Sequence, residues 1–251
     1  DEFNVSAGNP KLKPTQTDSL EIGYETKIAG LESSLRAYHR RDTDAIVDYR
    51  YLRGENVLLT TRQNGEGSHS SGLEFSVSGK LTPSLTLNTS GNLARSQQTS
   101  SDDLGNRSTR TANALSGRAR LNYQIDPANQ LQLALQMQGK TLSGQGYRSP
   151  NNTLNVSLRH TVTPQLSLVM NVTDVFSSNK METVINSASL RETSTRRFDG
   201  RMIYVGLSYR LGGAAPAAKE GEREPRFGPP GGRGPGGPGG PGPGGPAGEA
   251  G

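Results

Sequence analysis

The stretch LSGRARLNYQIDPANQLQLALQMQGK, residues 115–140, decides the fold because it alternates apolar and polar side chains on both sides of one short break. Its first half sets Leu121 and Tyr123 between Arg120, Asn122 and Gln124, and its second half alternates leucines with glutamines. A period of two is typical of a strand with one apolar and one polar face. The break, residues 126–129, consists of turn-forming residues. The stretch therefore predicts an antiparallel hairpin.

The same alternation recurs along the chain from residue 20 to residue 211. Seven further stretches show it: LEIGYETKI (20–28), LESSLRAYHRR (31–41), GLEFSVSGKL (72–81), SLTLNTSGNLA (84–94), TLNVSLRHTV (153–162), QLSLVMNVTDVF (165–176) and MIYVGLSYRL (202–211). No stretch has a convincing helical period. The sequence predicts an all-β protein, an antiparallel meander of about nine strands.

The connections between these stretches alternate between short and long. Short ones lie near residues 29–30, 82–84, 126–129 and 163–164, and long ones cover residues 42–68, 98–110, 142–151 and 176–199. Every second connection of an antiparallel meander lies at the same end of the sheet. We therefore expect tight turns at one end and long polar loops at the other, with residues 46–65 extending the first hairpin.

Composition narrows the classes of protein to which the chain could belong. Only 31% of the 251 residues are hydrophobic, fewer than a soluble domain of this size usually needs. The chain has no cysteine, which excludes disulfides, thiolate metal sites and cysteine nucleophiles. The net charge of +5 comes from basic residues scattered singly, and 5% aromatic residues give little base stacking, so no nucleic-acid partner is predicted.

The last part of the chain differs from the rest. Residues 212–251 are rich in proline and glycine and carry almost no apolar bulk, so they cannot form a core. We expect two parts: residues 1–211 as a partial outer-membrane β-barrel, its C-terminal strands, and residues 212–251 as a disordered tail.

An antiparallel sheet with one apolar face has two arrangements. In a soluble sandwich the apolar face covers a dry core, whereas in an outer-membrane barrel it meets lipid and the polar face lines the lumen. Three features favour the barrel. The strands are close in length to the roughly nine to eleven residues of a membrane strand. The polar face is rich in Gln, Asn, Ser and Arg, and the loops are long at one end only. A soluble β-solenoid or an adhesin-like sandwich remains the alternative.

Four motifs resemble one family. Gly8-Asn9-Pro10-Lys11-Leu12-Lys13-Pro14, followed by LEIGYE, resembles the G-N-P-x-L-x-P … E-x-G-Y signature of TonB-dependent receptors and the related outer-membrane β-barrel family. Gly72-Leu73-Glu74 is similar to the G-x-E strand of that family, and residues 171–176, NVTDVF, to its N-V-T-D-x-F strand. Residues 203–211 resemble the closing strand, although Leu211 stands where the family usually ends in an aromatic residue.

The resemblance implies a receptor or transporter in the outer membrane of a Gram-negative bacterium. In the family, a barrel of about twenty-two strands surrounds a plug and imports ligands with energy relayed by TonB. The partners implied are outer-membrane lipid, an unidentified ligand, and a plug and TonB-type coupling system that act through a missing N-terminal part. About nine strands would be the last portion of such a barrel, so we expect a C-terminal fragment. The alternative is a structural or adhesive barrel without active transport.

The candidate site residues are basic side chains that the alternation places towards the lumen. They are Arg36, Arg40, Arg118, Arg120, Lys140 and Arg159, which would form a basic lining, although plain lumen polarity explains them as well. Candidates for the membrane interface are Tyr24, Tyr123, Tyr204 and Tyr209. His39, His69 and His160 lack the spacing of metal ligands. Because no catalytic cluster stands out, we predict neither an enzyme nor a cofactor.

Overall fold

The computed structural model describes residues 3–54, 56–101, 107–187, 190–198 and 200–211, and within these ranges the regular structure consists of strands without a helix. The strands are β1 (Asn4–Ser6), β2 (Gln16–Ile28), β3 (Leu31–Thr43), β4 (Ile46–Arg53), β5 (Val57–Asn64), β6 (Gly67–Thr82), β7 (Leu85–Ser101), β8 (Arg107–Gln124), β9 (Asn129–Gln138), β10 (Thr141–Ser143), β11 (Gly146–Arg148), β12 (Asn151–Thr161), β13 (Leu166–Thr173), β14 (Lys180–Asn186), β15 (Arg191–Arg197) and β16 (Met202–Tyr209). A search of the described residues finds no helix suited to crossing a membrane.

Nine strands form one antiparallel sheet, which confirms the predicted meander. Their order from edge to edge is β2, β3, β6, β7, β8, β9, β12, β13 and β16. Strands that follow one another along this order are also consecutive in the chain, once the strands inside the long loops are set aside. The predicted turns hold as well: β3 follows β2 after Ala29 and Gly30, both with positive φ, of 50° and 84°.

The second long connection is shorter than the sequence predicts. The expected loop covers residues 98–110, yet β7 continues to Ser101 and β8 already begins at Arg107, and these two residues pair directly. The extension is built from Ser, Gln, Thr and Arg, which pair as a ladder but lack the apolar residues that mark a strand in the sequence. Residues 102–106 lie outside the described part of the chain.

Pairing register keeps the two faces of the sheet chemically separate. Leu133 lies opposite Leu121 on one side and Val156 on the other, whereas its neighbour Gln132 lies opposite Asn122 and Ser157. A slip of one residue would exchange the faces of an entire strand. The apolar side, with Leu133, is called the apolar face, and the side with Gln132 is called the polar face.

The apolar face is exposed rather than covered. On the edge strands, Leu20 is 76% exposed and Leu207 is 72% exposed, and in the middle of the sheet Leu93 is 56% exposed. A soluble sandwich would cover this face with a second sheet, and the described residues provide no such cover. Lipid is the surrounding that suits an exposed apolar sheet face.

Three of the long connections, together with β1, form two small sheets at one end of the nine-stranded sheet. One has the order β1, β5, β4, with β1 parallel to β5, and the other has the order β10, β11, β14, β15. The expected extension within residues 46–65 is the hairpin β4–β5. These seven strands, with the turns that connect β4 to β5, β10 to β11 and β14 to β15, are called the loop layer. The segment 212–251, predicted to be a disordered tail, lies outside the described residues.

Candidate functional site

The polar face carries a charge cluster on β2, β3 and β6, made of Glu21, Arg36, Arg40 and Glu74. Glu21 accepts from Arg40, with 2.6 Å between Oε1 and Nη2, and its Oε2 lies 3.6 Å from Nη1 of Arg36. Arg36 also lies 3.9 Å from Glu74. Two arginines and two glutamates make the cluster neutral as a whole, so this part of the wall offers alternating charge rather than a basic surface.

Tyr38 lies within the cluster, between Arg36 and Arg40 on β3 and opposite Glu21. The centre of its buried ring lies 4.8 Å from the guanidinium carbon of Arg40. Its hydroxyl oxygen lies 3.1 Å from Nδ2 of Asn92. Gly72 lies opposite Tyr38 on β6, and a Cβ added there would come within 2.6 Å of the hydroxyl oxygen. The glycine therefore makes room for the ring against the sheet.

A depression of about 390 Å³ adjoins the cluster. Arg36, Glu74 and Asn92 line it together with the hydroxyls of Ser34, Ser76, Ser90 and Ser116. Ser34 and Ser76 are hydrogen-bonded to each other at 2.7 Å. Charges of both signs, an amide and several hydroxyls can hydrogen-bond a polar solute on the polar face.

The six predicted basic residues do not form one group. Arg36 and Arg40 belong to the charge cluster, while Arg118 and Arg120 lie two residues apart on β8 and Arg159 lies on β12. Their cross-strand neighbours on the polar face are Ser90 and Gln136 for Arg118, Asn88 and Ala134 for Arg120, and Gln130 and Val169 for Arg159. Lys140 follows β9, and its ammonium lies 3.7 Å from the ring centre of Tyr147 in the loop layer. That the six line a lumen stays a prediction.

The loop layer has a small core that the sequence does not reveal. Tyr49, Leu59 and Ile185 are buried there, and Gln145 is only 5% exposed. The side chain of Gln145 accepts from the backbone N–H of Arg50 and donates to the carbonyl of the same residue, both at 2.7 Å. Gln145 thereby joins the two sheets of the loop layer across 95 residues of sequence.

Two arginines add further links within this end of the molecule. Nη1 of Arg50 lies 3.6 Å from Glu192 on β15. Arg110 on β8 donates to the carbonyl oxygens of Gly144, at 3.2 Å, and Asn186, at 2.7 Å. The alternation in IVDYRYL indicates β4, but no pattern in the sequence identifies the contacts of this strand with Gln145 or with Glu192.

Two acidic residues fix the base of the loop layer. Glu66 accepts from Ser101 and from Nε of Arg107, and these hydrogen bonds, that from Ser101 first, lower the pKa of its carboxyl. Asp174, in the NVTDVF motif, is buried and accepts from the backbone N–H groups of Ser178 and Asn179. The motif thus begins the connection from β13 to β14 with a carboxylate-capped turn.

The three histidines of the chain do not come together in the structure. His39 and His69 stack at 6.2 Å on the apolar side of the sheet, whereas His160 bonds Asn129 near a turn. Searching the described ranges finds no group of three or more His, Asp or Glu that could hold a metal ion.

Tyr204 lies opposite Asn171 on the polar face, unlike Tyr24, Tyr123 and Tyr209, so register removes it from the candidates for the lipid interface.

A membrane-type antiparallel sheet, with an apolar face outside, a polar face inside and long connections at one end, is the class that these features define. The chain belongs to the outer membrane protein beta-barrel family, whose model matches residues 1–209. Its location is the cell outer membrane, and the family predicted from the four motifs is confirmed.

Solved structures with a similar fold are large receptors and transporters. They include the siderophore receptor PirA from Pseudomonas aeruginosa (17% identity, TM-score 0.52, covering 81% of this chain), the copper transporter OprC (16%, 0.54, 80%) and the ferric-catecholate import receptor Fiu from K12 E. coli (15%, 0.54, 80%). The chain spans 31%, 33% and 28% of their respective lengths. At these identities the likeness concerns the fold. No curated protein matches the sequence.

Proposed function

We propose that this chain contributes nine strands and the loop layer to the barrel of an outer-membrane receptor that takes up a ligand. One observation carries the proposal: the sheet separates a lipid-type face from a polar face, and its long connections pack into an organised layer at one end only. Long loops of such barrels lie on the extracellular side. The loop layer would bind the ligand and the polar face would line its path.

The ligand class to test first is a chelated metal. The structures with a similar fold are a siderophore receptor, a copper transporter and a ferric-catecholate import receptor, according to their names. A plug and a TonB-type coupling system, provided outside this chain, belong to the same proposal. So does the division into a barrel part, residues 1–211, and a tail, residues 212–251.

A structural or adhesive barrel without active transport is the second candidate. The observation that favours it is the bonding within the loop layer, where Gln145 and Arg50 tie the two small sheets together. A layer held in this way could present one continuous surface to a partner outside the cell. The two candidates differ in whether a ligand crosses the membrane and in whether energy coupling matters.

The test is uptake by cells that make the full-length protein containing this chain. Cells lacking the gene, and cells complemented with it, are given radiolabelled ferric chelates or copper as the limiting metal. We expect complementation to restore accumulation, and removal of the β4–β5 hairpin, residues 46–64, to abolish it while the barrel still reaches the outer membrane. Disrupting the energy-coupling system should also abolish it. Equal accumulation with and without the gene, for every metal complex, would favour the adhesive candidate.

A further inference from the structure

The side of the sheet that faces lipid changes character abruptly at the end near the loop layer. Counted by cross-strand pairs over β2, β3, β6, β7 and β8, one row is wholly apolar: Ile22, Ala37, Leu73, Leu93 and Leu115. The next row towards the loops is Leu20, His39, Ser71, Arg95 and Asn113, and the row after that is Asp18, Arg41, His69, Gln97 and Thr111. Each row lies about 7 Å beyond the previous one.

Four basic side chains of these two rows form a compact group, the basic rim: His39, Arg41, His69 and Arg95. All four are exposed. The rings of His39 and His69 stack at 6.2 Å, and Nδ1 of His39 lies 2.8 Å from the hydroxyl of Ser71. The rim therefore begins directly above the lipid-type surface, on three neighbouring strands.

The charges of the rim are not neutralised in the way that those of the charge cluster are. Arg36 and Arg40, on the opposite side of β3, are paired with Glu21 and Glu74. Within the described residues, neither Arg41 nor Arg95 forms an ion pair, although Asp18 lies across from Arg41 in register without approaching it closely enough. Two arginine charges at this edge are thus available to an anion from outside the protein.

The surroundings of the rim determine which anion that is. Arginine side chains at the end of an apolar membrane segment lie along it and hold their guanidinium groups at head-group level. Such groups bind phosphate oxygens through several parallel hydrogen bonds, and basic residues at a membrane surface attract anionic lipids. Serine, asparagine and threonine in the same rows can donate further hydrogen bonds to the same group.

We propose that the basic rim is a binding site for the phosphate head group of an anionic lipid in the leaflet on the loop side. The acyl chains lie on the apolar row that contains Leu73 and Leu93, and the phosphate lies between Arg41 and Arg95. The site depends on the membrane location of the chain and not on transport, so failure of the uptake experiment leaves it standing.

Lipid titration of the purified full-length protein tests the site. The protein in detergent is titrated with soluble short-chain phosphatidylglycerol and with phosphatidylcholine of the same chain length, and bound lipid is counted by native mass spectrometry. We expect the anionic lipid to bind more tightly, and the double variant Arg41→Gln/Arg95→Gln to raise its Kd roughly 10- to 30-fold. High salt should weaken binding to the unaltered protein more than binding to the variant.

The matched control removes two charges from the other side of the same sheet. Arg118→Gln/Arg120→Gln makes the same chemical change on the polar face, and it should leave the Kd for phosphatidylglycerol unchanged. Heat-modifiable gel mobility checks that each variant keeps a folded barrel. Equal affinity for the two lipids, or equal loss in both double variants, would overturn the proposal. Displacement of the lipid by an equal concentration of inorganic phosphate would also overturn it, because the site would then bind a free anion.

Discussion

Glycines face aromatic rings on both sides of β6. On the polar face Gly72 accommodates Tyr38, and on the apolar face a Cβ on Gly91 of β7 would lie 2.5 Å from the ring of Phe75. An aromatic ring laid over a glycine in the next strand covers backbone that would otherwise be bare, and it fixes the register of that pair. Both pairs stiffen the part of the wall that carries the charge cluster.

Asp126 organises the turn between β8 and β9. Its Oδ1 accepts from the backbone N–H groups of Ala128, at 2.8 Å, and Asn129, at 2.9 Å, and its Oδ2 accepts from the Asn129 side chain at 2.7 Å. These bonds favour the ionised carboxyl, and they lower its pKa, the bond from the Asn129 side chain having the largest effect. Asp126 lies in the turn, outside the paired strands.

The lowered pKa predicts how stability depends on pH. A carboxyl whose pKa is lower in the folded protein contributes stability above its unfolded pKa of about 3.9, and loses that contribution as the pH falls through the lower folded value. Asp126→Ala should therefore lower the free energy of unfolding at neutral pH, and the difference from the unaltered protein should shrink in acid. Urea unfolding of the full-length barrel in detergent at several pH values measures this.

Asp126→Asn is the matched control for the pH effect. It keeps an oxygen that accepts from the Ala128 and Asn129 backbone but has no titrating group. Its stability relative to Asp126→Ala should not change between neutral and acid pH. If the gap between the unaltered protein and Asp126→Ala is the same at every pH, the hydrogen-bonded carboxylate is not the source of the turn's stability.

At the scale of elements, one side chain links the two sheets of the loop layer. β4 and β11 lie in different sheets, and Gln145, next to β11, satisfies both backbone groups of Arg50 on β4. Gly144 beside it packs closely on Val47, since an added Cβ would lie 2.9 Å from a Val47 methyl. The amide of Gln145 is therefore held against β4 by two hydrogen bonds, with Gly144 in close contact beside it.

Gln145→Met should separate the two sheets of the loop layer. Methionine has a similar length but leaves the N–H and the carbonyl of Arg50 without partners, at a cost of about 1–3 kcal/mol if they stay buried. We expect faster cleavage by protease within the β4–β5 hairpin, while the unfolding of the nine-stranded sheet stays the same. Gln136→Met, an exposed change on the polar side of β9, is the control and should leave the cleavage rate unaltered. Equal protection of both variants would contradict the linking role of Gln145.

The nine long strands and the β4–β5 hairpin were predictable, whereas the rest of the loop layer was not, for a physical reason. Each long strand places apolar side chains in lipid and polar ones on the other side, so its own sequence must alternate. β10 and β11 have only three residues each, too few for any period, and the pairing of β11 with β14 joins segments that are distant in the sequence. The basic lining also needed the structure, because the glutamates that neutralise Arg36 and Arg40 lie on other strands.

At the scale of the whole molecule, the sheet exposes its apolar side chains, whereas a soluble domain buries them. Among the described residues, five apolar side chains are buried: Tyr38, Tyr49, Leu59, Ala112 and Ile185. Many of the large apolar side chains lie instead on the exposed face of the sheet. Most of these five belong to the loop end rather than to the middle of the sheet. Burial against lipid, instead of a dry protein core, must therefore supply most of the apolar stabilisation of the strands.

Two neighbouring residues provide the sharpest test of this arrangement. Leu133 lies on the apolar face between Leu121 and Val156, and Gln132 lies on the polar face between Asn122 and Ser157. An arginine on the lipid side of a barrel costs about 2–4 kcal/mol at the middle of the membrane, whereas the lumen side tolerates it. Leu133→Arg in the full-length protein should therefore sharply reduce the folded barrel in outer-membrane fractions and destabilise it in urea, and Gln132→Arg should do neither. If Gln132→Arg were the damaging variant, the face assigned to the lumen would be the one in lipid. If the two variants had equal effects, neither face would meet lipid.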